Sequence, residues 1–303
     1  MKNSVLRGSG VALVTPFTAT GEIDFNALRA VIEHIIAGGI NYLVALGTTG
    51  EPPTLDTSEK KAIFEFVLEV INNRIPVVAG LGGNNTRSLV AELKEFLPMG
   101  FSAVLSASPY YNKPNQEGIY QHYQALAEAS PLPILLYNVP GRTGSNISAE
   151  TTLRLAHEFS NIIGIKEASA NFVQFDQIIR DRPEDFLFIS GDDAIALPVM
   201  AIGGDGLISV LANALPAEIS KLIDLALNGE YAEAKRVHLQ LSEIIQLIFA
   251  EGNPGGVKAL LHQLGIIENS LRLPLTPVSP ALYAQLENLH RVVKEKDGTR
   301  QQV

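Results

Sequence analysis

The sequence predicts a (β/α)8 barrel with a C-terminal helical extension, and three observations carry that prediction. Short apolar, β-rich runs recur eight times before residue 214, from GVALVTPF to GLISVLAN. Amphipathic stretches of helical period separate most of them, and such strand–helix alternation builds parallel sheets. After Asn213 the β signal stops and only helical periodicity follows. Eight such units within about 220 residues suit a TIM barrel, which typically needs about 250 residues. A doubly wound sheet is the competing arrangement. Its glycine fingerprint, however, belongs after the first strand, whereas the Gly-rich turn GLGGNN follows the third and lacks the G-x-G-x-x-G spacing.

The elements follow in order along the chain. GVALVTPF is the first strand, and FNALRAVIEHIIAGG after it is amphipathic with Asp24 as its N-cap. NYLVALGTTGE supplies the second strand and its exit turn, followed by SEKKAIFEFVLEVINN from a Ser58 cap. IPVVAGLGG is the third strand, and RSLVAELKEFLPMG follows a Thr86 cap. FSAVLSASPYY and LPILLYNVP are the fourth and fifth strands, with EGIYQHYQALAEAS between them and a helix capped by Ser148 after them. NIIGIKEAS, FLFISGDD and GLISVLAN are the sixth to eighth, and LPAEISKLIDLALNG closes the barrel. Gly229 reads as a C-cap and joint. The chain therefore divides into a catalytic barrel, residues 1–228, and a helical domain, residues 229–303. The last ten residues, KEKDGTRQQV, are polar and read as frayed.

Composition narrows the function classes. A 303-residue chain with 46% hydrophobic residues can bury a large core. Its formal charge of -9 and lack of any basic tract speak against nucleic acid and anionic membrane as partners. There is no cysteine, hence no disulfide, thiolate metal site or thiol nucleophile. The opening MKNSVLRGSG lacks the apolar segment of a signal peptide, and no run approaches a membrane span, so a cytoplasmic protein is expected.

Functional side chains of such barrels collect at the C-terminal strand ends. The unusual polar residues here lie there: Thr48-Thr49-Gly50-Glu51, Tyr110-Tyr111-Asn112, Tyr137-Asn138 with Arg142 beyond, Lys166-Glu167, and Gly191-Asp192-Asp193. Lys166 closes the apolar run Ile162-Ile163-Gly164-Ile165. One reading is a strand-end lysine that snorkels to water. The other follows from alternation: Lys166 shares a direction with Gly164 and Ile162, and if that direction is inward Gly164 leaves room for its stem. A lysine desolvated by the barrel layers is biased toward a free amine, a nucleophile for carbonyls. Tyr137, one strand away, is within reach for proton transfer. Thr49 offers a hydroxyl, the backbone of Thr48-Thr49-Gly50 a small anion nest, and Arg142 a carboxylate-binding fork. Each also has a plain reading as strand aromatic, turn or loop residue. The six histidines, His34, His122, His157, His238, His262 and His290, fall in helical stretches and read as packing or surface positions. Glu167, Asp192 and Asp193 have no histidine beside them and read as hydrogen-bonding groups rather than metal ligands.

GTTGE, SPYYNKP, YNVPGRTG, GIKEAS, SGDD and GLISVLAN, in this order and at strand ends, closely resemble the dihydrodipicolinate synthase (4-hydroxy-tetrahydrodipicolinate synthase) family. That family lies within the pyruvate-dependent class I aldolases and lyases, with N-acetylneuraminate lyase. The resemblance runs from about Gly8 to about Pro280. It implies a Schiff base between Lys166 and pyruvate, pyruvate's carboxylate on Thr48 and Thr49, and Tyr137 as general acid and base working through Thr49 and Tyr111. Arg142 would hold the carboxylate of L-aspartate 4-semialdehyde, and Gly191 and Ile208 would line the site. The product would be 4-hydroxy-tetrahydrodipicolinate, a step toward diaminopimelate and lysine. No cofactor is implied, because the iminium is the electron sink. The alternative is another pyruvate-dependent lyase, acting on sialic acid or a 2-keto-3-deoxy sugar acid.

The resemblance further implies a homotetramer, a dimer of dimers, in which Tyr111 reaches a neighbour's site. Sensitive members bind lysine near the residue matching Tyr110, using histidine on the helix after GTTGE and a glutamate after the third strand. This chain keeps Tyr110 and Asn84 but has Thr57, Lys60 and Ser88 where those groups would stand. Weak or absent lysine inhibition is the expectation, with Glu51 or Glu92 as substitutes that could rescue the site.

Overall fold

The computed structural model describes residues 4–96 and 99–298, with side chains from Val5 to Leu289. Its centre is a closed barrel of parallel strands in chain order: β1 (Gly8–Ala12), β2 (Tyr42–Ala45), β3 (Val77–Gly80), β4 (Ala103–Ala107), β5 (Ile134–Asn138), β6 (Ile162–Glu167), β7 (Leu187–Ser190) and β8 (Gly206–Ser209). β8 returns to β1 through the register Ile208 opposite Gly10, which closes the sheet and leaves no edge. The (β/α)8 TIM barrel expected from alternation is thus the fold, with α1 (Phe25–Ala37), α2 (Thr57–Ile71), α3 (Thr86–Phe96), α4 (Gln116–Ala129), α6 (Ala149–Glu158), α7 (Phe172–Asp181) and α9 (Pro216–Leu227) between or after the strands. Two short helices, α5 (Pro140–Thr143) and α8 (Ala196–Ala201), have no counterpart in the sequence reading. Their spans are too short to show a 3.6-residue period.

Two apolar clusters explain the continuous hydrophobic runs. One takes a residue from every strand, including Ala12, Val44, Val78, Leu105, Leu187 and Ile208, and fills the barrel interior. The other joins the outward strand residues to the inner faces of the helices. A strand buried on both faces has no polar side to alternate with. Tyr42 plugs the interior with no exposed area, and burial pushes its phenol pKa well up.

Helix starts are set by local hydrogen bonds. Asp24 and Ser148 cap α1 and α6, as expected. The cap of α2 is Asp56, not Ser58: its carboxylate takes the Glu59 amide at 2.8 Å, and Glu59 returns a bond to the Asp56 amide at 3.0 Å. At α3 the Asn85 side chain accepts from the Ser88 amide at 3.2 Å. Thr86 is already helical, and its hydroxyl pairs with Nδ1 of His122 at 2.8 Å. His122 is buried, which lowers its pKa to about 4.

Past Gly229, whose φ of 80° is left-handed, come α10 (Tyr231–Phe249), α11 (Gly255–Gln263) and α12 (Pro280–Gly298). The helix continues to Gly298, through part of the stretch expected to fray; residues 299–303 lie outside the described residues, as do Leu97 and Pro98 of the third amphipathic stretch and the side chain of His290. Among the described residues no helix is long and apolar enough to cross a membrane.

Candidate active site

Lys166 and Tyr137 sit opposite each other across β5 and β6, and Lys166 is also paired with Ile189 of β7. Both point into the barrel mouth and are nearly sealed, Lys166 at 4% and Tyr137 at 6% exposure. The lysine Nζ lies 4.4 Å over the Tyr137 ring, where the ring face holds a cation or presents an amine. Lys166 therefore does not snorkel out.

The inward direction arises differently from the alternation argument. A register shift between Ile134 and Leu135 makes Ile163 the inward residue and leaves Ile162 on the helix side. Gly164 does point inward, yet a Cβ there would meet the Leu187 carbonyl oxygen at 2.6 Å and Leu187 Cβ at 2.8 Å, not the lysine. The residue that leaves room for the lysine stem is Gly191 beyond β7. A Cβ on it would fall 3.1 Å from both Cγ and Cε of Lys166.

The turn after β2 forms the facing wall. Thr48–Gly50 makes a single 3-10 turn in which the Gly50 amide bonds the Gly47 carbonyl at 2.9 Å and the Glu51 amide bonds that of Thr48 at 3.2 Å. Gly50 is thus committed to the turn, and its carbonyl accepts from Thr15 Oγ1 at 2.7 Å. Thr49 is buried at 1% exposure and accepts at Oγ1 from the Asn253 side-chain amide at 3.0 Å. A cleft of about 370 Å³ opens in front of this turn. Thr48, Tyr137, Arg142 and Asn253 line it, as do Tyr110, Lys60 and Glu92. Arg142 is exposed on α5 and lines the cleft. Ile208 is fully buried in the interior, below the mouth. Tyr111 is not brought to its own chain's cleft. It stands 84% exposed with φ 71°, a left-handed conformation that is a genuine outlier for a bulky side chain.

The strand-end carboxylates are structural. Glu167 is buried and accepts from Asn138 Nδ2, from the Ser169 amide at 2.7 Å and from Gln174 Nε2 at 2.9 Å. Burial raises its pKa while these donors pull it back. Asp193 accepts from the Ser209 hydroxyl and from the Val210 amide at 3.0 Å, tying the end of β7 to β8; its pKa too is raised by burial. Among the described residues no group of three or more histidines, aspartates and glutamates is placed to hold a metal ion.

The largest surprise is a buried ion pair behind the Thr48–Gly50 turn. Glu51 and Lys258 of α11 are both fully buried and bonded to each other. Lys258 Nζ also donates to the Ser270 carbonyl at 3.0 Å, and Glu51 accepts from the Arg272 amide at 3.2 Å. Burial lowers the Lys258 pKa to about 8 against the pull of Glu51. Glu51 is therefore consumed and cannot serve an incoming ammonium as a substitute ligand. The signal for Lys258 was present in the sequence, a lysine inside the apolar stretch GGVKALL, the same signal that singled out Lys166.

Comparison with known proteins places the chain in a family. The Dihydrodipicolinate synthetase family matches residues 5–295. The chain is 50% identical over 291 residues to the 4-hydroxy-tetrahydrodipicolinate synthase of Parabacteroides distasonis, covering 96% of this chain and 98% of that one. Among solved structures it is similar to a dihydrodipicolinate synthase of Cyanidioschyzon merolae with lysine bound, at 37% identity and TM-score 0.93 over 96% of this chain and 99% of that chain. It is equally similar to a monomeric dihydrodipicolinate synthase variant, at 38% identity and TM-score 0.94 over 96% of this chain and 98% of that chain.

Proposed function

The chain belongs to the dihydrodipicolinate synthetase family, and we propose that its cleft condenses pyruvate with L-aspartate 4-semialdehyde through a Schiff base on Lys166. The reaction is that of a lyase, forming 4-hydroxy-tetrahydrodipicolinate on the route to diaminopimelate and lysine. The observation that carries the site assignment is the Lys166 amine, nearly sealed from water, 4.4 Å over the Tyr137 ring.

In this reading the amine adds to the keto carbon of pyruvate, and water leaves as the iminium forms. Tyr137 moves the protons, relayed by the Thr49 hydroxyl and the partner subunit's Tyr111. Pyruvate's carboxylate rests on the amides of Thr48 and Thr49. Gly50 contributes by shaping the turn, since its own amide is occupied. The iminium acidifies the methyl group, the resulting enamine attacks the aldehyde of the second substrate, and that substrate's amino group then adds to the iminium carbon, closing the ring and expelling the Lys166 amine. Arg142 holds the carboxylate of that substrate by a charge-assisted fork. Gly191 gives the lysine stem its channel, and Ile208 is apolar packing under the reacting centre. The electron sink is built from the lysine, so the reading calls for no separate cofactor.

The same proposal extends to assembly. The exposed, left-handed Tyr111 has a backbone conformation that costs on the order of 1–3 kcal/mol, which suits a side chain held ready for a neighbouring subunit. The assembly is a homotetramer, a dimer of dimers, in the cytoplasm. Residues 1–228 act as the catalytic barrel, and residues 229–303 as a helical domain appended to it.

A substrate comparison tests the reaction. Enzyme given pyruvate and L-aspartate 4-semialdehyde should consume the two in equal amounts and release the cyclic product. Faster turnover of pyruvate with N-acetylmannosamine or a sugar-acid aldehyde would overturn the assignment in favour of a sugar-acid lyase.

A further inference from the structure

We propose that Asn253, from the segment just before α11, is the positioning residue that fixes the direction of the Thr49 hydroxyl in the proton relay. The inference rests on the Schiff-base reading above, with Thr49 in the relay. Asn253 is 9% exposed and lines the cleft, and its amide nitrogen donates to Thr49 Oγ1 at 3.0 Å. A hydroxyl has a single proton to give. With its oxygen engaged as acceptor by Asn253, the Thr49 O–H turns away from Asn253 and is free to pass its proton onward. A neighbour that accepted from Thr49 instead would lock that proton and break the relay.

A second contact between the same two segments holds this geometry. Two residues after Thr49, Glu51 pairs with Lys258, five residues after Asn253, and both side chains are fully buried. The two segments, more than 200 residues apart in sequence, are therefore clamped at two points. The other polar atom of the side chain, Asn253 Oδ1, is buried without a hydrogen-bond partner among the described residues. A buried acceptor on a residue that lines the cleft suits a donor carried by the bound ligand.

Two substitutions, one isosteric and one truncating, separate positioning from packing. Asn253→Asp keeps the shape but can only accept when ionised, so it reverses the hydrogen bond and captures the Thr49 proton. Asn253→Ala merely releases it. Loss of a proton-transfer element lowers rate by roughly 100- to 10,000-fold. The expected order of kcat is therefore wild type, then Asn253→Ala about tenfold lower, then Asn253→Asp on the order of 100-fold lower. Asn253→Asp should recover toward acid pH, because a protonated carboxyl donates again and burial raises the pH at which it protonates. A packing role predicts the opposite order, with the isosteric Asp milder than Ala and no acid recovery, and that result would overturn the proposal. If Asn253→Asp does not fold, the Thr49→Val background decides: Asn253→Ala should add no further loss there, and independent additive losses would refute coupling through Thr49. Borohydride trapping of a pyruvate adduct on Lys166 should persist in both Asn253 variants. Its absence from the wild type would count against the Schiff-base reading itself rather than against Asn253.

Discussion

Gly191→Ala probes the seat of the lysine nucleophile with the smallest possible change. The added methyl would sit 3.1 Å from Cγ and from Cε of Lys166 and 2.9 Å from Ala168 Cβ. Carbon atoms prefer about 3.5–4.0 Å, so the lysine stem must retreat by roughly 0.5 Å. Overpacking of this kind costs about 1–3 kcal/mol of stability. The kinetic effect should be larger than that stability loss suggests, since misplacing a reacting group by about 1 Å can lower a rate by on the order of 100-fold. A tenfold to 100-fold slower formation of the pyruvate adduct is expected. The assay is the rate of borohydride-trappable adduct at saturating pyruvate, with a denaturant melt on each variant to confirm folding. Gly164→Ala is the control. Its methyl would meet the Leu187 carbonyl at 2.6 Å, and its three nearest neighbours belong to Leu187 and Leu135 rather than Lys166, so it should lower stability at least as much and trapping less. Trapping by Gly191→Ala within twofold of wild type would refute the reasoning, as would equal slowing by the two variants at equal folded fraction.

Three further outcomes follow from the same structure. Tyr111→Phe should depress turnover and leave subunit assembly unchanged, and full activity in a protein shown by sedimentation to be monomeric would refute a relay shared between subunits. Lysine should inhibit weakly or not at all: Ser88 offers no carboxylate, Glu51 is bound to Lys258, and Glu92, the remaining substitute, lines the same cleft as Tyr110 and the Lys60 ammonium. A lysine titration of initial rates with half-inhibition below about 1 mM, a binding free energy near -4 kcal/mol, would contradict this. Finally, His122 is held neutral with its pKa lowered to about 4, so the unfolded chain binds a proton that the folded chain refuses between that value and about 6.5. Stability should be fully retained above about pH 6.5 and fall as pH drops toward 4, by up to about 3 kcal/mol from this group. His122→Gln should flatten that limb of a stability-versus-pH curve, and an unchanged slope would rule His122 out as its source.

Much of the architecture was legible in the chain because every strand is short, apolar and buried on both faces, while the helices keep a polar side. Lys166 was legible because a charge at the end of such a run has few ways to exist. What escaped was whatever depended on register or on distant partners. Alternation placed Ile162 with Lys166, but the shift opposite Ile134 put Ile163 there instead, and no residue type announces that shift. Adjacent candidates blurred the caps, since Asp56 and Ser58, or Asn85 and Thr86, are equally good acceptors until the backbone chooses. Asn253 and Lys258 lie 204 and 207 residues from the groups they bind, so only folding reveals their place beside Thr49 and Glu51.

The reaction turns on which lysine forms the imine, and among the described residues two lysines are buried. Lys258 is fully buried with a pKa lowered to about 8, a common mark of a reactive amine. Its Nζ, however, is engaged by Glu51 and by the Ser270 carbonyl. Lys166 has the ring of Tyr137 and the channel beside Gly191. Pyruvate followed by borohydride and peptide mass spectrometry decides between them. One reduced pyruvyl group per chain is expected, on the peptide containing Lys166, and none in Lys166→Ala. An adduct on Lys258, or one that survives Lys166→Ala at full yield, would contradict it.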